Sequence, residues 1–165
     1  MLTFRLVTDC DIAVLRKLAD RIWRTSYAGT ISQAQVDYML AWMYSEETIC
    51  RELAEGVHWE IVRHDECDVG YFSITVGADC VAKLNKLYLA PEFQGRGLGQ
   101  EMLVRIFAVA AQNGVSEVRL QVNKANTRAQ RAYQRFGFRR VGEAVFDIGG
   151  GFVMDDYIMA RFVHE

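Results

Sequence analysis

The sequence predicts a mixed α/β (α+β) fold in which helices flank one mostly antiparallel central sheet. Its first part combines one strand-like segment with three helical segments, whereas its middle holds strand-like segments rich in β-branched and aromatic residues. Its last part alternates helix, strand and helix before two closing strands. The predicted order is therefore β-ααα-βββ-α-β-α-ββ, which is typical of helices packed on a sheet.

The first four predicted elements follow from the spacing of apolar residues and from the residues typical of helix ends. Residues 2–7 predict a strand, and residues 8–23 predict a helix whose apolar side chains recur at helical spacing. Thr8 is the predicted cap of that helix, since its hydroxyl can accept a hydrogen bond from a backbone N–H. A second helix is expected over Gln33–Met43, and a third from the cap Ser45 to the stop at Gly56.

The remaining elements follow from a change of pattern at residue 57. An antiparallel meander is expected, with strands over residues 57–64, 69–77 and 80–90 and turns at 65–68 and 77–79. After it we expect a helix from Leu98 to near Gly114, a buried strand and a second helix, at 98–114, 117–122 and 126–137. Two closing strands near residues 138–147 and 152–162 flank the loop "IGGG".

Size and composition bound the class of protein. The chain has 165 residues, of which 51% are hydrophobic and 24% charged, which suits one compact domain over residues 1–165. The net charge of −2 gives no support for nucleic-acid binding, and the absence of a long apolar run predicts no membrane span. The start "MLTFRLVTDCD" does not resemble a signal peptide. The four cysteines form no CxxC pair, so we expect no metal site and a reducing, cytoplasmic location.

The stretch "PEFQGRGLGQ" places three glycines, Gly95, Gly97 and Gly99, between a predicted strand and a predicted helix. A helix start has unpaired N–H groups and a partial positive charge, and glycines let an anion approach the backbone. The stretch is not a Walker A loop, and Gln100 stands where a dinucleotide fingerprint needs its third glycine. The alternative is that these glycines only make a tight turn and a close helix–strand contact.

Two motifs carry a resemblance to a known family. The segment "QGRGLG", from Gln94 to Gly99, resembles the Q/R-x-x-G-x-G/A motif of the GNAT superfamily of N-acetyltransferases. The segment "NTRAQRAYQRFGF", from Asn126 to Phe138, resembles its N-x-x-A-x-x-x-Y-x-x-x-G-F segment. The motifs occur in the right order with a strand between them, and the order of predicted elements also agrees with that superfamily.

The resemblance implies acetyl-CoA as co-substrate, without a metal. Backbone N–H groups of Gly95 to Gln100 would bind the pyrophosphate, the strand at Leu87 to Leu89 would pair with the pantetheine amides, and Asn126 would bind the pantetheine arm. The implied coenzyme-binding residues are Leu87, Tyr88, Leu89, Gln94, Gly95, Arg96, Gly97, Leu98, Gly99, Gln100, Asn126 and Tyr133.

Tyr133 is the implied catalytic residue. A thiolate has a reference pKa of about 8.5 and a tyrosine one of about 10, so a tyrosine hydroxyl can donate a hydrogen bond or a proton to the departing coenzyme sulfur. The alternative is core packing, because Tyr133 lies on the helical stripe that includes Ala129 and Phe136.

No general base is evident. Relatives often carry a carboxylate on the fourth or fifth strand, where this chain has Lys83, Asn85 and Gln121. Glu92 lies in a turn, and Asp155 and Asp156 on the last strand are further candidates that the sequence does not separate. We therefore expect the amine to lose its proton to ordered water or bulk solvent.

The resemblance implies an acceptor pocket formed by the first two helices and the last hairpin. Trp23, Tyr27 and Tyr38 are candidate lining residues, and ordinary core and surface packing is the alternative. A finer similarity, in "MYSEETICREL" and in residues 136–163, is to PaiA-type spermidine/spermine N-acetyltransferases. The implied reaction is acetyl transfer to a primary amine by direct attack, with a polyamine, another small amine or a peptide as acceptor. A protein N-terminal acetyltransferase and a non-catalytic coenzyme A sensor stay open, as does a homodimer.

Overall fold

The computed structural model describes residues 1–165 and contains the predicted elements in the predicted order. The helices are α1 (Ile12–Ser26), α2 (Gln33–Met43), α3 (Glu46–Ala54), α4 (Leu98–Gln112) and α5 (Thr127–Arg135). The strands are β1 (Leu2–Leu6), β2 (His58–His64), β3 (Cys67–Val76), β4 (Val81–Leu89), β5 (Glu117–Asn123), β6 (Arg139–Gly149) and β7 (Phe152–Phe162). The predicted mixed α/β fold is confirmed.

The strands are hydrogen-bonded in the order β1-β2-β3-β4-β5-β7-β6. β1 runs antiparallel to β2, and β5 and β6 both run antiparallel to β7. β4 and β5 run parallel, and α4 is the crossover connection that a parallel pair needs. Their ladder begins at Val81–Glu117 and ends at Leu84–Leu120, whereas β5 continues to Asn123.

By backbone contacts the chain divides into two compact units. The first unit comprises Met1–Ser73 and Lys86–Leu98, and the second comprises Ile74–Asn85 and Gly99–Glu165. In the first unit, α1, α2 and α3 contact one another, and its fully buried side chains include Leu15, Ile22, Ile49, Trp59 and Ile61. In the second, the apolar stripe of α4 and alternate residues of β5 are buried, among them Met102, Ile106, Val118 and Leu120. The expectation of one domain over residues 1–165 stays a prediction.

The start of the first helix differs from the predicted one. A one-turn 3-10 helix, Asp9–Asp11, precedes α1, which begins at Ile12 and continues to Ser26. The carboxylate of Asp11 accepts hydrogen bonds from the backbone N–H of Thr8 at 2.9 Å and from its hydroxyl at 3.0 Å. These bonds, the backbone one foremost, lower the pKa of Asp11. Thr8 is thus the N-cap residue of the 3-10 turn that precedes α1, in a capping box with Asp11. Ser45 caps α3 as predicted, accepting from Thr48 N–H at 3.1 Å.

Candidate active site

The glycine stretch after β4 adopts a conformation that only glycine reaches easily. A one-turn 3-10 helix, Pro91–Phe93, follows β4, and Gly95 and Gly97 then have φ of 78° and 81° before α4 begins. A left-handed φ at two alternate positions is strained for any residue with a Cβ. A Cβ on Gly97 or Gly99 would meet no heavy atom within 4 Å, so the surface of this turn is open. The glycines therefore make the tight turn and also leave its backbone accessible to a ligand.

Side chains beside this turn hold it in place. Gln94 Nε2 donates to the carbonyl of Leu89 at 2.8 Å, which ties the turn to the end of β4. Gln100 Nε2 donates to the carbonyl of Ala132 at 3.2 Å, which ties α4 to α5. The exposed guanidinium of Arg96 lies 5.5 Å from the ring centroid of Phe93. The side-chain amides of Gln94 and Gln100 thus have structural partners, and the binding role of this stretch stays a prediction.

Gly70 on β3 allows a close backbone approach beside Tyr88. A Cβ at Gly70 would lie 2.4 Å from the Tyr88 carbonyl oxygen, a distance that no side chain tolerates. Next to it, Ala90 N–H donates to the Val69 carbonyl at 2.7 Å. Gly70 is not among the residues predicted from the sequence, although a glycine inside a strand of aromatic and β-branched residues often marks such an approach.

Six aromatic side chains of the first unit meet around Trp23; we call them the aromatic cluster. The Trp23 ring lies 4.5 Å from that of Tyr27 and 5.4 Å from that of Tyr88, between ring centroids. Tyr38 instead contacts the half-exposed Trp42, at 6.3 Å. Of the predicted acceptor-lining residues, Trp23 and Tyr27 are thus brought together with Tyr88. The members of the aromatic cluster are Trp23, Tyr27, Tyr44, Trp59, Tyr71 and Tyr88.

Hydrogen bonds of tyrosine hydroxyl groups connect the side chains of the aromatic cluster. The indole N–H of Trp23 donates to the Tyr44 hydroxyl at 3.0 Å, and this hydroxyl lies 2.7 Å from that of Tyr71. The hydroxyls of Tyr27 and Tyr88 lie 3.1 Å apart. Burial raises the pKa of both Tyr44 and Tyr71 well above the ordinary value, so both stay protonated at physiological pH.

Lys86 of β4 extends into the same cluster. Its ammonium lies 5.0 Å from the Trp59 ring centroid and 5.5 Å from that of Tyr44, and the residue is only 8% exposed. A buried ammonium over two aromatic faces gains a cation–π attraction that offsets part of its lost hydration. Neither this lysine nor Tyr44 and Tyr71 was singled out from the sequence, because their partners lie far away along the chain.

Replacing Tyr44 with Phe is expected to lower the free energy of unfolding by about 1–3 kcal/mol, because the Trp23 N–H loses its buried acceptor and the Tyr71 hydroxyl loses its partner. Urea unfolding followed by tryptophan fluorescence measures the change. Tyr27→Phe is the matched control and should cost less, since its hydroxyl is only partly buried and water can replace it. Equal losses for the two variants would contradict the buried network.

Helix α5 carries the second set of predicted residues. The Asn126 side-chain oxygen accepts from Ala129 N–H at 3.1 Å and so caps the helix, leaving its amide group as the part that could bind a ligand. Tyr133 is half-buried, and its ring lies edge-on to Phe138 with centroids 5.7 Å apart. The structure therefore gives the Tyr133 ring the packing role that was the alternative, while its hydroxyl role stays a prediction.

The three acidic residues considered as general base lie in different environments. Glu92 is exposed and pairs with Arg21 at 2.8 Å, and Asp155 is exposed and pairs with Lys124 at 2.8 Å. Asp156 is buried, and its Oδ1 has no hydrogen-bond partner. No group of three or more His, Cys, Asp or Glu side chains is placed to hold a metal ion, and no helix is long and apolar enough to cross a membrane.

The strand order, with the glycine turn between β4 and α4, defines the class of N-acetyltransferase folds. The chain belongs to the acetyltransferase (GNAT) family, whose model matches residues 16–138. The general reaction of that family moves an acetyl group from acetyl-CoA to an amine.

Two proteins are similar to this chain in sequence, and one solved structure is similar to it in fold. An uncharacterized N-acetyltransferase of Mycobacterium bovis is 39% identical over 99 residues, which is 60% of this chain and 63% of that protein. A spermidine N(1)-acetyltransferase of Thermoplasma acidophilum is 25% identical over 134 residues, 78% of this chain and 83% of the relative. The crystal structure of the PaiA N-acetyltransferase from Thermoplasma acidophilum in complex with coenzyme A superposes with a TM-score of 0.80 at 23% identity, covering 98% and 99% of the two chains.

Proposed function

We propose that this protein transfers the acetyl group of acetyl-CoA to a primary amine by direct attack, and that the acceptor is a polyamine or another small amine. The observation that carries the proposal is the open glycine turn, whose left-handed Gly95 and Gly97 lead directly into α4. A diphosphate needs several N–H donors and no side chain in its way, and this turn followed by a helix N-terminus supplies both.

Different groups of the chain bind the coenzyme and assist the reaction. Backbone N–H groups from Gly95 to Gln100 bind the pyrophosphate, and Arg96 adds a positive charge beside it. The backbone of Leu87 to Leu89 and the amide of Asn126 bind the pantetheine arm. Acetyl-CoA supplies the activated thioester carbonyl. The amine nitrogen attacks that carbonyl, a C–N bond forms, the C–S bond breaks, and Tyr133 donates a hydrogen bond or its proton to the leaving sulfur.

The aromatic cluster supports an amine acceptor. Tyr27 and Tyr88 are partly exposed beside the buried Trp23, and aromatic faces attract alkylammonium groups. The relative from Thermoplasma acidophilum named for spermidine favours a polyamine among such amines.

Acetyl-CoA with a panel of amines tests the proposal. Release of free thiol should follow acetyl-CoA consumption with at least one of spermidine, spermine, n-butylamine and a tripeptide with a free α-amine. A polyamine should give the highest kcat/KM. Preference for the tripeptide would point to a protein N-terminal acetyltransferase. Binding of acetyl-CoA by calorimetry without thiol release from any amine would contradict an enzyme and favour a coenzyme A sensor.

A further inference from the structure

The carboxylate of Asp156 is buried in the second unit with one oxygen that has no hydrogen-bond partner. It is 1% exposed, and it is the only buried Asp or Glu of the second unit. Its Oδ1 accepts no hydrogen bond. Burying a carboxylate without a partner is costly, and proteins tolerate such a cost mainly where the group is used.

Its place on the sheet is specific. Asp156 lies on β7 opposite Asn123 of β5, three residues beyond Leu120, where the ladder between β4 and β5 ends. On its other side it faces Ala144 of β6. The charged groups that act on it are Asp155 of its own strand and Lys83 of β4.

The end of β5 connects Asp156 with α5. The Asn123 carbonyl accepts a hydrogen bond from Gln130 Nε2 at 3.0 Å and one from Asn126 N–H at 2.9 Å. The strand residue that faces Asp156 is thereby fixed to the helix that carries Asn126 and Tyr133. Asp156 is thus paired with the strand residue that anchors the start of α5, the helix proposed to hold the pantetheine arm and the sulfur.

The neighbouring Asp155 shows why only one of the two acids is available. Successive side chains of a strand point to opposite faces. The Asp155 carboxylate is engaged by Lys124 Nζ at 2.8 Å, and the same ammonium lies 3.1 Å from Glu143. The Asp155 carboxylate is therefore held in an ion pair at the surface, while Asp156 keeps a buried oxygen without a hydrogen-bond partner.

We infer that Asp156 is the proton acceptor for the acceptor ammonium, an inference that rests on the proposed amine acetylation. Because the side chain is almost fully buried, the proton reaches it through one intervening water. This replaces the expectation from the sequence that the amine loses its proton to ordered water or bulk solvent alone.

The proton balance is complete without a further reagent. Asp156 takes one proton from R–NH3⁺ and becomes neutral, which leaves R–NH2 to attack the thioester. After the C–N bond has formed, the nitrogen loses a second proton and the leaving sulfur gains one. Asp156 then returns its proton to water, so one net proton is released for each acetyl group transferred.

The electrostatic environment of Asp156 favours its role as proton acceptor. Burial, with a smaller contribution from Asp155, raises the pKa of Asp156, and Lys83 opposes the rise. A carboxylate of raised pKa is a stronger base than an exposed one, as long as it is still ionised at the working pH.

The test compares Asp156→Asn with Asp155→Asn, using the fastest amine of the panel. At pH 7 the Asp156 variant should lose about 100-fold or more in kcat/KM, whereas the Asp155 variant should stay near wild type. The deficit should shrink as the pH rises toward about 10, because the reference amine pKa of about 10.4 then supplies free amine without a base. Acetyl-CoA affinity by calorimetry should not change.

A stability measurement separates this role from a structural one. Because the pKa of Asp156 is raised on folding, wild type should lose stability relative to Asp156→Asn as the pH rises from about 4 through the raised value. The variant should therefore be at least as stable as wild type at pH 8.

Three results would overturn the inference. If the wild type acetylates an amine and the Asp156→Asn variant is equally active, Asp156 is not the proton acceptor, whereas the proposed acetylation still holds. A pH-independent deficit with a lowered Tm would assign Asp156 to structure. A wild type that acetylates no amine would reject the proposed function, and this role with it.

Discussion

Replacing Tyr133 with Phe should lower kcat by about 10²–10⁴-fold while acetyl-CoA affinity stays unchanged. The substitution removes only a hydroxyl and keeps the ring that packs edge-on against Phe138. A group that acts as negative charge grows on the sulfur contributes mainly in the transition state, so its loss appears in kcat rather than in binding. General acids typically contribute about this much.

The measurement is steady-state thiol release at saturating acetyl-CoA and amine, with calorimetry for the coenzyme. Tyr157→Phe on β7 is the matched control, since it removes a tyrosine hydroxyl from the same unit at a position with no proposed role. It should keep the wild-type kcat. A Tyr133→Phe enzyme with wild-type kcat would reject the acid role once single-turnover kinetics show that chemistry limits the rate.

Tyr133 and Asp156 would handle different protons. Tyr133 serves the leaving sulfur and Asp156 the attacking nitrogen, so their variants should differ in pH response. The Asp156→Asn deficit should shrink at high pH because free amine becomes abundant. The Tyr133→Phe deficit should persist up to about pH 9, below the reference tyrosine pKa of about 10, because a higher pH does not supply a proton to a thiolate.

The glycine turn was predictable from the sequence because its cause is local. Glycines at alternate positions between a strand and a helix indicate a left-handed turn, and Gly95 and Gly97 have that conformation. The order of strands and helices was predictable for a similar reason, since each element depends mainly on the spacing of its own apolar residues.

The aromatic cluster was only partly predictable, because its hydrogen bonds join residues that are distant along the chain. Trp23 lies in α1 and Tyr27 directly follows that helix, but the acceptor of the Trp23 N–H is Tyr44, whose own partner is Tyr71 on a strand. Apolar spacing places each of these residues in a core without indicating which hydroxyl groups meet.

Asp155 and Asp156 show most clearly what the sequence alone does not predict. A strand with two consecutive acids must direct one to each face, and a shift of one residue in register would exchange them. The pairing of Asp156 with Asn123, and not the sequence, decides which carboxylate is buried.

Replacing Gly97 with Val should raise the Kd for acetyl-CoA by roughly 100-fold or more. Gly97 has φ of 81°, which a β-branched residue adopts only with strain, so the turn must change and its N–H groups are redirected. A hydrogen bond to a charged group contributes about 1.5–3 kcal/mol. Losing two of them therefore costs about 3 kcal/mol, and each 1.4 kcal/mol is tenfold in affinity.

Gly29→Val is the control that separates binding from backbone strain. Gly29 has φ of 77°, and a Cβ there, as at Gly97, would meet no heavy atom within 4 Å. Both variants should therefore lose about 1–2 kcal/mol of stability from the left-handed backbone. Only the Gly97 variant should lose coenzyme affinity, measured by calorimetry on protein that circular dichroism shows to be folded. Unchanged affinity in a folded Gly97→Val protein would reject the glycine turn as the diphosphate site, and equal losses of affinity in both variants would assign the effect to strain.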